Sequence, residues 1–293
     1  MRVGILSLQN VPFEVVRERA RRAEDLGADA FLVADHFVNP YGPAEPWLEA
    51  FTLLGAIAAA TERISLGTLV SPVTLRNPAV LARAAATLDE VSAGRAECSL
   101  GAGGAPLDHS MTGIESWPAR DRSERLAAAA AILRQLLDTG RAGEPEPAAG
   151  PYPVAGTIVE PHGHAGHRIR LTIAGHGPNA IGVAARFGDG WNSYGVGSGR
   201  DVRGLLPWDE AMAVLRGRCA LLDGALAAAG RESAAVRRSY TLVETYGSYP
   251  GRDRLAAMLG ELRSAGIGEV VGYWPGDPAD EPRLADLVEL ARA

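Results

Sequence analysis

The stretch FLVADHFVNPYG, Phe31 to Gly42, ends an apolar run with two residues capable of proton chemistry, Asp35 and His36, and then breaks on Asn39-Pro40. A histidine can accept and return a proton near neutral pH, and a carboxylate beside it can orient the ring or hold a polar group of a ligand. The same dipeptide also suits a helix-capping aspartate next to a half-exposed histidine, and alone it leaves both readings open. A second cluster lies in AGHGPNAIGVAARFGDGW. There Gly175, His176 and Gly177 precede Pro178 at a first helical position, so that free backbone N–H groups and the positive end of a helix could meet an anion without any lysine. A turn whose glycines serve only backbone dihedrals is the plainer alternative.

Two further clusters carry less. SLGAGGAP, Ser99 to Pro106, reads GxGGxP where a dinucleotide fingerprint needs GxGxxG, and the next clear helical pattern begins some twenty residues later. Its glycines fit the close approach of a planar ligand to the backbone. His162, His164 and His167 in HGHAGH have metal-like spacing, yet no carboxylate pattern surrounds them; the expectation is a loop and no metal site.

These groups need elements to position them, and the hydrophobic periods supply a regular alternation. Strands are expected at Val3–Leu8, Ala30–Ala34, Ile64–Val70, Ala96–Leu100, Ile169–Ala174, Gly190–Tyr194, Val236–Val243 and Glu269–Tyr273. Helical patterns fall between them at Pro12–Leu26, Trp47–Ala60, Pro78–Val91, Ser123–Leu137, Pro178–Phe187, Trp208–Ala229, Arg252–Ala265 and Pro282–Ala291. On the Ser123 helix, Leu126, Ala130, Leu133 and Leu137 share a face from which Arg125 and Arg134 point away. Eight βα units in one chain of 293 residues fit a single α/β domain, a (β/α)8 TIM barrel, better than an open doubly wound sheet. Thr139 to Arg168, dense in Gly, Pro and Ala, is too long for an ordinary connection and reads as an insertion, a lid segment over the barrel, before the fifth strand's anion loop. In such a barrel the active groups sit where strands end, which is where Asp35-His36, the strand-four glycines and Gly175–Gly177 all fall.

Composition narrows the function. A net charge of −6 and the lack of any arginine cluster interleaved with aromatics argue against a nucleic acid partner. The sequence has no lysine, which excludes Schiff-base and P-loop chemistry. Cys98 and Cys219 form no metal or disulfide pattern. The first apolar run is too brief for a signal sequence and no stretch holds 18 uninterrupted apolar residues, so the expectation is a cytoplasmic protein with no membrane partner.

Three blocks, AEDLGADAFLVADHF, RISLGTLVSPVTLRNPAVLARAAATLDEVSAGR and AGHGPNAIGVAARFGDGWN, appear in the order found in the luciferase-like monooxygenase superfamily. The chain resembles its F420-dependent oxidoreductase branch, well from Met1 to about Tyr194 and only in general architecture beyond. The resemblance implies that His36 is the base near the reacting carbon and that Asp35 contacts the deazaflavin ring. It implies that Tyr41 lies beside the substrate and that Thr68, Leu69 and Val70 form a bulge, with a non-proline cis peptide in many F420-binding members, supporting the ring. It also implies that Gly101 to Gly104, with Ala102 and Gly103 foremost, line the cofactor edge and that Gly175, His176 and Gly177 hold its phosphate. A homodimer is implied on the same ground.

The chain departs from the pattern after the strand-four glycines, where relatives often carry Trp-Asn or a proton-donating glutamate and this sequence has Gly104 and Ala105. Asp108 and His109 are the candidates to supply an acid, with Gly104 and His109 expected near the substrate. The leading expectation is hydride transfer between coenzyme F420 and a small organic substrate, with His36 moving the proton. The alternatives are an FMN-dependent monooxygenase using reduced flavin and oxygen, a flavin-binding barrel without catalysis, and, most distant, a metal hydrolase built on the three histidines.

Overall fold

The computed structural model describes residues 1–143, 150–195 and 206–293. Nine strand segments, β1 (Arg2–Ser7), β2 (Ala30–Val33), β3 (Ser65–Thr68), β4 (Ser71–Pro72), β5 (Ala96–Gly101), β6 (Arg170–Ala174), β7 (Gly190–Tyr194), β8 (Arg237–Leu242) and β9 (Glu269–Tyr273), pair in parallel. The order β3-β2-β1-β9-β8-β7-β6-β5-β4 is closed by pairing of β3 with β5. The expected (β/α)8 barrel is therefore present, its third stave split in two. Leu66 and Gly67 of β3 pair with Ala96 and Glu97, whereas Ser71 and Pro72 of β4 pair with Leu100 and Gly101 further along the same strand. Between the two pieces the Leu69–Val70 peptide is cis. A glycine is required at Gly67, where a Cβ would come within 2.3 Å of the Glu97 carbonyl oxygen.

The helices are α1 (Phe13–Asp25), α2 (Ala50–Ala58), α3 (Pro78–Val91), α4 (Pro106–Thr112), α5 (Ala119–Thr139), α6 (Pro178–Phe187), α7 (Trp208–Ala228), α8 (Arg252–Ser264) and α9 (Pro282–Arg292). Their boundaries follow local chemistry: Asn77 caps α3 by accepting from the Ala79 N–H at 2.9 Å, with Pro78 preset for the first turn. Strands such as β2, AFLV, read as continuous apolar runs because both faces are covered. Phe31, Val33, Leu66, Leu100 and Trp191 belong to the large core that joins strands to helices, whereas Leu6, Ala30, Leu32 and Val271 form a separate cluster, on which Leu69 and Tyr273 rest. Truncating a fully buried ring such as Phe31 to alanine costs about 3 to 5 kcal/mol, so the β2 strand is anchored firmly in the core.

One expectation needs correction. The helix assigned to Ser123–Leu137 begins at Ala119, and a short helix that the glycine and proline content concealed, α4, starts at Pro106 directly after the strand-four glycines. Arg125 and Arg134 lie off the apolar face but are not idle: Arg125 stacks on Trp117 at 3.8 Å and Arg134 reaches Asp189 at 2.7 Å. Of the Thr139–Arg168 segment, residues 144–149 lie outside the described residues. The remainder lies along α3 and α5, where Arg83 of α3 donates to the Ile158 and Glu160 carbonyls at 2.6 and 2.8 Å and Arg125 faces Tyr152.

Candidate active site

The end of β2 is fixed from several sides. Gln9, following β1, accepts from the Ala34 N–H at 3.2 Å and donates to the Leu48 carbonyl at 3.2 Å, and the Trp47 indole N–H donates to the His36 carbonyl at 3.0 Å. His36 emerges from this clamp with its side chain 28% exposed. Its Nδ1 lies 2.8 Å from Oδ2 of Asp108 in the first turn of α4, and the other Asp108 oxygen accepts the Phe37 N–H at 2.9 Å. A carboxylate accepts hydrogen bonds, so the neutral ring keeps its proton on Nδ1 and presents the lone pair of Nε2. Asp108 was expected as a possible acid; the structure makes it the partner that orients His36.

Asp35, expected against a cofactor ring, is 1% exposed and committed elsewhere. It accepts from Ser71 Oγ at 2.6 Å and is ion-paired with Arg76, which also binds Glu49 at 2.5 Å. Burial pushes the Asp35 carboxyl above its ordinary range, against the opposing pull of Arg76 and Ser71. Ser71 in turn lies 2.9 Å from Thr68 Oγ1, so Asp35 ties the β2 end to the split third stave. Leu69 and Val70 are half-buried there, and Val70 fills the space that a Cβ on Gly101 would enter.

Beyond β5, Gly103 has φ +68° and faces Thr74, while no atom lies within 4 Å of where a Gly104 Cβ would sit. His109, expected beside the substrate, is instead 3% exposed, with Nδ1 at 2.9 Å from the Glu115 carbonyl oxygen and its ring edge-on to Trp117. Beyond β6, Gly177 caps α6 without a side-chain hydrogen bond, and a Cβ on it would meet no non-neighbouring described atom within 4 Å. His176 rests edge-on against Tyr194 at 4.3 Å and reaches Ser193 Oγ at 3.3 Å. Burial, reinforced by Arg218, pushes His176 down to about 3, so it is neutral at physiological pH and adds no charge beside Gly175 and Gly177. Tyr41 packs on Tyr246 at 5.3 Å, and Tyr246 on Tyr273 at 5.2 Å.

The remaining histidines disperse. His162 pairs with Glu160, His164 with Glu90 and His167 with Asp89, and among the described residues no three ligand-type groups gather around a point. Cavities of about 330 Å3 beside His162 and beside Arg2 lie away from the strand ends that carry His36. Gln9, Trp47, Arg76, Tyr194, Tyr246 and Tyr273 were missed by the sequence reading; Tyr194 and Tyr273 could have been found as the last residues of their strands.

The unobstructed Cβ positions at Gly104 and Gly177, the α6 N-terminus without a side-chain cap and the His36 ring are compatible with a planar cofactor carrying a phosphate. Residues 1–256 match the luciferase-like monooxygenase family. The chain belongs to that family. The match runs past Tyr194, where the motif likeness became general. Over 123 residues, 41% of this chain and 36% of the relative, it is 38% identical to an F420-dependent glucose-6-phosphate dehydrogenase of Amycolatopsis mediterranei. Over 135 residues, 44% of this chain and 37% of the relative, it is 34% identical to the pyrimidine monooxygenase RutA of Caulobacter vibrioides. These matches span little more than a third of the relatives' length. The fold is similar to that of an F420-dependent secondary alcohol dehydrogenase in complex with an F420-acetone adduct, with a TM-score of 0.82, 18% identity and coverage of 100% of this chain and 99% of the other. It is also similar to the monooxygenase RslO1 from Streptomyces bottropensis, at TM-score 0.73 and 20% identity, over 99% and 98% of the two chains. Among the described residues no helix is long and apolar enough to cross a membrane.

Proposed function

We propose that this luciferase-like protein is an F420-dependent oxidoreductase that transfers a hydride between the deazaflavin and a small organic substrate. The observation that carries the reading is the His36–Asp108 pair: an imidazole held through Nδ1 at 2.8 Å, with no partner for its other nitrogen among the described residues, at a barrel strand end. When bound, F420 supplies the two-electron, hydride-carrying ring. In the oxidative direction His36 Nε2 takes the proton of a substrate hydroxyl, and Asp108 keeps the ring from rotating and stabilises the charge it gains. The α6 N-terminus at Gly177, with Gly175 and His176, holds the cofactor phosphate; Leu69, Val70, Ala102 and Gly103 border its ring. Asp35 supports that ring only through Ser71 and the third stave. A homodimer is part of the same reading.

The Asp35-His36 strand end combined with the split third stave favours F420 over FMN. The second reading, an FMN-dependent monooxygenase, draws on the 34% identity to a pyrimidine monooxygenase. Titration of the purified protein with F420 and with FMN separates them, and tight FMN binding without F420 binding would overturn the first. With the cofactor so identified, His36→Ala is expected to lower turnover on the order of 100- to 10,000-fold while leaving cofactor affinity unchanged. Unchanged turnover would remove His36 from the chemistry.

A further inference from the structure

Aromatic side chains in this protein are distributed unevenly. The exposed ones are Phe37 at 53%, Tyr41 at 48% and Tyr246 at 50%, and all three belong to segments following strands at the C-terminal end of the barrel. Every other Phe, Tyr and Trp is buried or half-buried. Exposing large rings in one place is costly unless something covers them. Tyr41 from the β2–α2 connection, Tyr246 after β8 and Tyr273 at the end of β9 converge, with ring centroids 5.3 Å apart for Tyr41 and Tyr246 and 5.2 Å apart for Tyr246 and Tyr273. Tyr273 itself rests on the Leu6, Ala30, Leu32 and Val271 cluster, so the group has a rigid floor. Phe37 sits beside the dyad, its N–H held by Asp108, and Met111, one turn along α4, is 47% exposed.

We propose that this aromatic ledge selects an uncharged, planar ring-bearing substrate, gripped by Tyr41 and Tyr246 and presented to His36. The proposal rests on the reading of the barrel's C-terminal end as the active site, not on which cofactor it holds. Stacking on a tyrosine face rewards a flat π-system and gives nothing extra to a saturated ring of equal size, whereas a sugar phosphate would need cations.

Calorimetric titration of the full chain with 2-naphthol, decahydro-2-naphthol and glucose 6-phosphate tests this. The aromatic alcohol is expected to bind about tenfold more tightly than its saturated counterpart. Tyr246→Ala and Tyr246→Leu should each abolish that preference, Tyr246→Phe should keep it, and Leu221→Ala, an exposed residue on α7, should change nothing. The leucine variant keeps an apolar side chain and guards against a folding artefact. Equal binding of the two alcohols, tighter binding of the sugar phosphate, or conversion of a dimer to a monomer by Tyr246→Leu would each overturn the proposal, the last by showing that the rings cover a subunit seam. Repeating the F420 and FMN titrations on Tyr246→Leu keeps the two readings apart: a failed cofactor assignment leaves the naphthol ranking intact.

Discussion

The two ends of this barrel treat charge in opposite ways. At the N-terminal end Arg2 reaches Glu97 at 2.7 Å and Glu269 at 3.2 Å, and Arg237 approaches the same two carboxylates at 4.0 and 3.6 Å. Each acid is shared between two guanidinium groups, and the side chains of three of the four are at most 13% exposed, so the charges are satisfied within one closed network. At the C-terminal end the pairs are asymmetric. Asp108 is 2% exposed, but its partner His36 is 28% exposed, and its Nε2 makes no hydrogen bond among the described residues. A closed network fixes geometry, whereas a half-closed one fixes geometry and leaves a titratable atom available. That difference supports the proposed placement of the active site at the C-terminal end.

Removing a member of the closed ring should therefore damage the fold and spare the site. Glu97→Ala leaves Arg2 and Arg237 with a single shared carboxylate, and a loss of about 3 kcal/mol in urea unfolding is expected, with cofactor affinity within twofold of wild type. If cofactor affinity fell as far as stability did, the two ends would not be separable. The converse substitution is Asp108→Asn. The amide can turn an N–H toward Nδ1, which forces the proton to Nε2 and blocks it as a base. A fall in turnover on the order of 100-fold is expected, with unfolding stability nearly unchanged. A pure loss of stability with normal turnover would make Asp108 a structural residue only.

The sequence displayed the barrel because a parallel sheet covered on both faces leaves apolar-rich stretches, continuous at β2 (AFLV) and mixed with polar residues at β7 (GWNSY) and β8 (RRSYTL), and each of the eight staves overlaps a stretch expected as a strand. α3 and α6 matched residue for residue, since Asn77-Pro78 and Gly177-Pro178 punctuate their starts. α4 was missed because seven residues after a glycine-rich turn give too short a period to see, and with it went the role of Asp108. The positions of Asp35 and His36 were legible; the division of labour between them was not. It depends on Arg76, 41 residues away, and Asp108, 72 residues away, and contacts at such separations leave no trace in local periodicity.

Acid titration offers the finest discrimination between the two ends. Asp189, at the N-terminal side of β7, is pushed up by burial but pulled further down by the Leu171 N–H, Arg168 and Arg134, so its carboxyl lies below the ordinary range. A depressed acid contributes stability that is present above its unfolded value and lost as pH falls from about 4 through the folded one. At the other end burial raises the Asp35 carboxyl, so its native form binds the proton first, and the stability linked to it falls as pH rises above about 4. Plotted against pH, the stability of wild type minus Asp189→Asn should decline toward acid, while that of wild type minus Asp35→Asn should rise toward acid. Each slope is limited to about 1.4 kcal/mol per pH unit. Slopes of the same sign would mean that Arg76 outweighs burial at Asp35, and that the C-terminal end closes its charges as fully as the N-terminal end does.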